Sequence, residues 1–92
     1  MSGTIRHRGL RCLYEDDDAR GVLAEHANRL RLILAALDAA DRAEDLDVHN
    51  FRLHAFKGNL KGHWAVTVRA NWGVGFRFGD GAATDVDLMD YH

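Results

Sequence analysis

Proline is absent from these 92 residues, so no X–Pro isomerisation can slow folding. Cysteine occurs once, at Cys12, which excludes an intrachain disulfide and points to a reducing compartment. Long apolar runs are missing too. The longest aliphatic run, Leu32–Leu37, falls far short of the roughly 20 residues a membrane span needs, so no membrane partner is expected. The opening MSGTIRHRG lacks the apolar centre of a secretory signal, and the cytoplasm is the expected compartment. There is no glycine-rich phosphate loop, because Gly73-x-Gly75 falls inside a strand pattern. Neither His-Glu-x-x-His nor Cys-x-x-Cys spacing occurs, so no metal and no other cofactor is expected. The most informative deficit is local: residues 48–79 contain no Asp or Glu.

What that stretch does contain is five permanent cations, Arg52, Lys57, Lys61, Arg69 and Arg77, with His49, His54 and His63. It stands at +5, between residues 1–47 at −3 and residues 80–92 at −4, in a chain of net charge −2. Phe51, Phe56, Trp64, Trp72, Phe76 and Phe78 are interleaved with the cations. A basic, acid-free, aromatic segment in an otherwise acidic protein points to a polyanionic ligand, with a merely solvated basic face as the bland alternative.

The length fits a single domain spanning residues 1–92, and 47% apolar residues can supply its core. Thr4–Arg6 reads as a short edge strand and His7–Tyr14 as a short helix. The acidic run Glu15–Asp18 reads as a solvated turn. Val22, His26, Leu30, Ile33, Leu34 and Leu37 fall at helical spacing, predicting an amphipathic helix over about 22–40 with Arg29 and Arg31 off its stripe and His26 as a packing residue. Asp41–Asp47 reads as a turn-rich link with one helical turn.

The period then changes from 3.6 to 2. Phe51–Ala55 alternates apolar with basic; Trp64, Val66 and Val68 alternate with Ala65, Thr67 and Arg69; Trp72, Val74, Phe76 and Phe78 alternate with Gly73, Gly75 and Arg77; Val86 and Leu88 alternate with Asp85 and Asp87. Turns are expected at Gly58–Gly62, Ala70-Asn71 and Gly79-Asp80-Gly81. Helices followed by antiparallel strands predict an α+β fold, two N-terminal helices packed on a sheet meander. If the large apolar residues face the helices, Arg52, His54, Arg69 and Arg77 converge on the opposite, open face.

His54, Lys57, Arg69, Tyr91 and His92 suit acid–base chemistry on a phosphodiester. Histidine titrates near neutrality. Lys and Arg stabilise a pentavalent phosphorane. If the RNA's own 2′-hydroxyl attacks, the protein needs no nucleophile. His54 as an ordinary strand residue and a frayed Asp90-Tyr91-His92 terminus are the simpler alternatives. Cys12 is expected to be an idle thiol.

The motifs Arg6-His7-Arg8-Gly9-Leu10, Ala24-Glu25-His26-Ala27-Asn28-Arg29-Leu30, Arg52-Leu53-His54, Lys57-Gly58, Gly62-His63-Trp64, Val68-Arg69-Ala70-Asn71-Trp72, Phe76-Arg77-Phe78 and Asp90-Tyr91-His92 run through the whole chain. In them the chain closely resembles the HigB-type toxins of bacterial toxin–antitoxin modules, within the RelE/ParE superfamily. The resemblance implies a RelE-like fold with a curved antiparallel sheet. It implies a metal-independent, ribosome-dependent endoribonuclease that cuts mRNA in the decoding site and leaves a 2′,3′-cyclic phosphate and a 5′-hydroxyl. Its catalytic set would be His54, Lys57, Arg69, Asp90, Tyr91 and His92. Arg52, Lys61, His63 and Arg77 would contact RNA or the ribosome. The implied partners are the ribosome, mRNA and a helix-turn-helix (HigA-like) antitoxin, with operator DNA reached only through that antitoxin.

Three positions depart from the family pattern. Gly73 stands where Arg is usual, Gly75 replaces a larger residue, and His63 stands for Tyr. One missing preorganised cation predicts a rate lower by about 10²–10³. The competing expectation is a non-nuclease member, either a gyrase-directed toxin or an inactive toxin kept for antitoxin binding and operon regulation.

Overall fold

Hydrophobic periodicity builds two layers, which a computed structural model describes over residues 3–48, 51–55 and 62–90. Helix α1, Arg8–Asp16, buries Leu10 and Leu13 on one side. Its N-cap is His7, whose Nδ1 accepts the Leu10 amide at 3.1 Å and so satisfies one orphan donor of the first turn. It stops at Asp17, which takes the left-handed conformation at φ 52. Gly9 and Gly21 let the helix lie directly on the following loop: a Cβ on Gly9 would sit 2.2 Å from the Gly21 carbonyl oxygen.

The long helix expected over about 22–40 is shorter and begins differently. A 3-10 turn, Ala24–His26, precedes helix α2, Ala27–Ala39. Leu23 before it is extended, at ψ 134, and Val22 packs on the core from the loop. Within α2, Ala27, Leu30, Ile33, Leu34 and Leu37 are buried, as the periodicity requires. A second 3-10 turn, Ala43–Leu46, supplies the expected single helical turn and buries Leu46. The Asp45 carboxylate holds its start, accepting the Asp41 amide at 3.0 Å and that of Arg42 at 3.3 Å.

Among the described residues four antiparallel strands follow: β1, His54–Ala55; β2, His63–Arg69; β3, Trp72–Gly79; and β4, Ala82–Asp90, in the order β1-β2-β3-β4. The expected edge strand at Thr4–Arg6 appears as a single parallel bridge from Ile5 to Val86. The strand expected from Phe51 is cut to His54–Ala55, because Arg52 takes φ 54 and breaks the extended run. Phe51 is tucked into the core instead. The turn linking β3 to β4 is Asp80–Gly81, with φ 55 and 76, the doubly positive geometry of a tight hairpin.

Register confirms the sorting of apolar residues. Trp64 faces Phe76, Val66 faces Val74, and Val74 faces Leu88 across neighbouring strands. These side chains meet Leu10, Leu13, Leu30, Ile33, Leu34 and Leu37 in one core. At about 1.5–3 kcal/mol per fully buried large aliphatic or aromatic side chain, this sheet–helix interface dominates the stabilising side of the balance.

Candidate functional site

The opposite sheet face carries the first part of the site. His54 in β1 pairs with Ala65, Ala65 with Gly75, and Gly75 with Asp87, forming one row across four strands. The adjacent row runs Thr67, Gly73, Met89. The centre of this face is therefore floored by small residues, with His54 and Asp87 at the two ends of its row. Gly73 lies in the middle of the neighbouring row and is buried.

His54 is exposed, and its Nδ1 lies 2.8 Å from the Arg52 carbonyl oxygen. A carbonyl only accepts, so Nδ1 carries the proton, and in the neutral ring Nε2 is the basic nitrogen. The left-handed turn at Arg52 thus fixes the tautomer of a candidate base two residues later.

The cations expected beside His54 do not converge there. Arg77 is on the same face, opposite His63, but its Nε donates to Asp85 Oδ2 at 2.5 Å. Asp85 also accepts from the Thr4 hydroxyl at 3.2 Å and lies 3.6 Å from Arg6 Nε. The hydrogen bond from Arg77, with its positive charge, holds the Asp85 carboxyl below the usual range against a smaller opposing effect of desolvation. Arg77 is thereby an anchor between β3, β4 and the N-terminal segment. His63 is half-buried, and its Nδ1 has no hydrogen-bond partner among the described residues.

Arg69 is placed elsewhere because a β-bulge between Thr67 and Arg69 brings it into register with Trp72. There its Nη1 meets Glu25 Oε2 at 3.4 Å, on the helical side of the sheet. Trp72 in turn is opposite Asp90, so Arg69, Trp72 and Asp90 form a row at the hairpin end of the sheet. The side-chain amide of Asn71, in that hairpin turn, donates to Asp90 Oδ1. Trp72 also receives the ring of His26 edge-on, with centroids 5.7 Å apart and planes at 62°. His26 is 3% exposed, the packing residue its helical position implied.

Beside this row lies a cleft of about 570 Å³ lined by Glu25, His26, Arg29, Arg52, Thr67 and Arg69, among others. Arg29, which the sequence marked only as lying off the apolar stripe, donates from Nη2 to the Thr67 carbonyl at 3.1 Å. Its guanidinium stands 5.1 Å from the centre of the Phe51 ring. A lone Arg on an exposed helix flank gives no signal that it faces a strand distant in sequence, which is why sequence reasoning passes over it. Lys57, Lys61, Tyr91 and His92 lie outside the described residues. Among the described residues no three His, Cys, Asp or Glu side chains are grouped closely enough to hold a metal ion.

Comparison with known proteins agrees with the motifs in both extent and kind. A family model described as the HigB-like toxin, a RelE-like toxin of the type II toxin–antitoxin system HigB, matches residues 3–92. Endoribonuclease HigB of Proteus vulgaris is 37% identical over 92 residues, which is all of both chains.

Proposed function

We infer the function from one premise: the chain belongs to the HigB-like family of RelE-like toxins of type II toxin–antitoxin systems. We propose that it is an endoribonuclease that cleaves mRNA. Full-length similarity to Endoribonuclease HigB carries this reading, and the fixed tautomer of His54 supplies it with a base. In the reaction, His54 Nε2 takes the proton of the RNA 2′-hydroxyl. The 2′-oxygen bonds to the phosphorus, the P–O5′ bond breaks, and the leaving 5′-oxygen accepts a proton from His92 acting as general acid. Lys57 holds the scissile phosphate and Arg69 the strand beside it, Tyr91 stacks on or positions the nucleotide, and Asp90, tied to Asn71, orients its neighbours.

Ribosome dependence, cutting in the decoding site, a helix-turn-helix antitoxin and operon repression through it extend the same reading. Mapping mRNA 5′ ends after brief induction tests it. Cuts should appear inside translated frames. Gly73→Arg, which returns the cation of the family pattern, should raise the cleavage rate by about 10²–10³. If neither protein cuts mRNA, the enzymatic reading fails. Glycine at position 73, where the family pattern has a cation, favours the second reading, a toxin retained without nuclease activity or one directed at gyrase; a gyrase poison damages DNA and leaves mRNA 5′ ends unchanged.

A further inference from the structure

The cleft on the helical side of the sheet is bordered by an exposed arginine, Arg52, and by a solvent-exposed ion pair, Arg69 with Glu25. Three guanidinium groups, from Arg29, Arg52 and Arg69, border it against one carboxylate, that of Glu25. We propose that this cleft is a second phosphate subsite, which holds a backbone phosphate of the RNA strand beside the nucleotide that is cut. The proposal rests on the RNA-cleaving reading above.

Each group has a distinct part. The Arg29 guanidinium lines the cleft, held in place by the Thr67 carbonyl and the Phe51 ring. Arg52 has no carboxylate partner among the described residues and is exposed at the rim. Arg69 is held by Glu25 at 3.4 Å, with side chains 67% and 58% exposed, a pairing that an entering phosphate can replace at little cost. Glu25 is then a placeholder anion, occupying Arg69 until RNA arrives.

What favours a nucleic acid over an acidic peptide is the connection to His54. The carbonyl of Arg52 orients the His54 ring, and the two Cα atoms are at most about 7 Å apart along the chain. A strand whose scissile phosphate lies at His54 has its next phosphates within reach of a cleft that begins at Arg52. The same residue would set the base with its backbone and hold the strand with its side chain.

The experiment measures anisotropy of a labelled, non-cleavable 2′-O-methyl single-stranded RNA against the full chain, over a salt series. Arg52→Asn removes the cation and keeps a residue that tolerates the left-handed backbone. It should weaken binding by about tenfold and make the log–log salt slope shallower by about 0.7. Glu25→Gln should do the opposite, tightening binding and steepening the slope, a gain that misfolding cannot produce. Unchanged affinity and slope in both variants, with wild-type RNA binding intact, would overturn the subsite. So would a loss confined to a poly-glutamate probe, which would assign the cleft to an acidic protein partner. The 5′-end mapping reads cleavage separately, so a chain that cuts mRNA with an unaltered Arg52→Asn affinity keeps the function and loses the subsite.

Discussion

Asp85 shows most directly how a single residue here differs from its appearance in the sequence. In the strand pattern it is one of two outward acids that alternate with Val86 and Leu88. In the fold it gathers Arg77, Thr4 and Arg6, and its backbone takes φ 51 beside a bulge in the β3–β4 pairing. Which cation an acid meets depends on that bulge, and the period-2 pattern carries no mark of it. His54 was legible as a candidate because its residue type and strand position suffice; its tautomer was not, because that depends on the turn at Arg52. A pH dependence follows from these carboxylates. Asp85 is depressed first by the hydrogen bond from Arg77, and Asp18 is lowered from 3.8 to about 2 by the side chain and amide of Arg20. A depressed folded value means the stabilisation is complete above the ordinary Asp range and is lost as pH falls through the folded values. Melting temperature should therefore decline from about pH 4 towards pH 2, and the decline should be shallower in Asp85→Asn and Asp18→Asn. An identical pH profile in all three proteins would show that these pairs do not couple to folding.

At the scale of elements, the sequence pattern carried the kind of each long element, and what it did not carry was where two of them begin and end. Helix α2 was readable because five buried positions repeat at helical spacing, and β2, β3 and β4 because large and small residues alternate over seven to nine positions. The 3-10 start at Ala24–His26 and the truncation of β1 involve two to four residues, too few for periodicity to speak. Both arise from tertiary demands: the loop must pass Gly9 at Gly21, and Phe51 must reach the core. The same contrast predicts where substitutions matter. Leu30→Ala removes a fully buried side chain from the centre of α2 and should cost about 2–5 kcal/mol, read as a lower midpoint in denaturant. Leu32→Ala, one turn face away and 62% exposed, should change stability by less than about 0.5 kcal/mol. Equal midpoints for the two variants would contradict the packing described for α2.

Across the whole molecule, the acidic flanks and the basic window are not separate regions but partners. Glu25 from the helical half and Asp85 from the last strand fold back onto Arg69 and Arg77, so two of the five window cations are already neutralised. The sequence shows the segregation of charge along the chain, and only the fold shows how much of it is cancelled. This changes the expected strength of a polyanion interaction. Five free window cations on single-stranded RNA would give a log–log salt slope of about −3.5; with Arg77 committed to Asp85 and Arg69 exchanging Glu25 for a phosphate, about −2.8 is expected. Binding of the wild-type chain to single-stranded RNA between roughly 50 and 300 mM salt measures the slope. A value near −3.5 would mean that both internal pairs open on binding and that the acidic flanks act as a general shield. A value near −2.1 would mean that both pairs stay closed and that the fold offers RNA only the cations it leaves uncompensated, which makes Arg52 the described residue on which the electrostatic contact most depends.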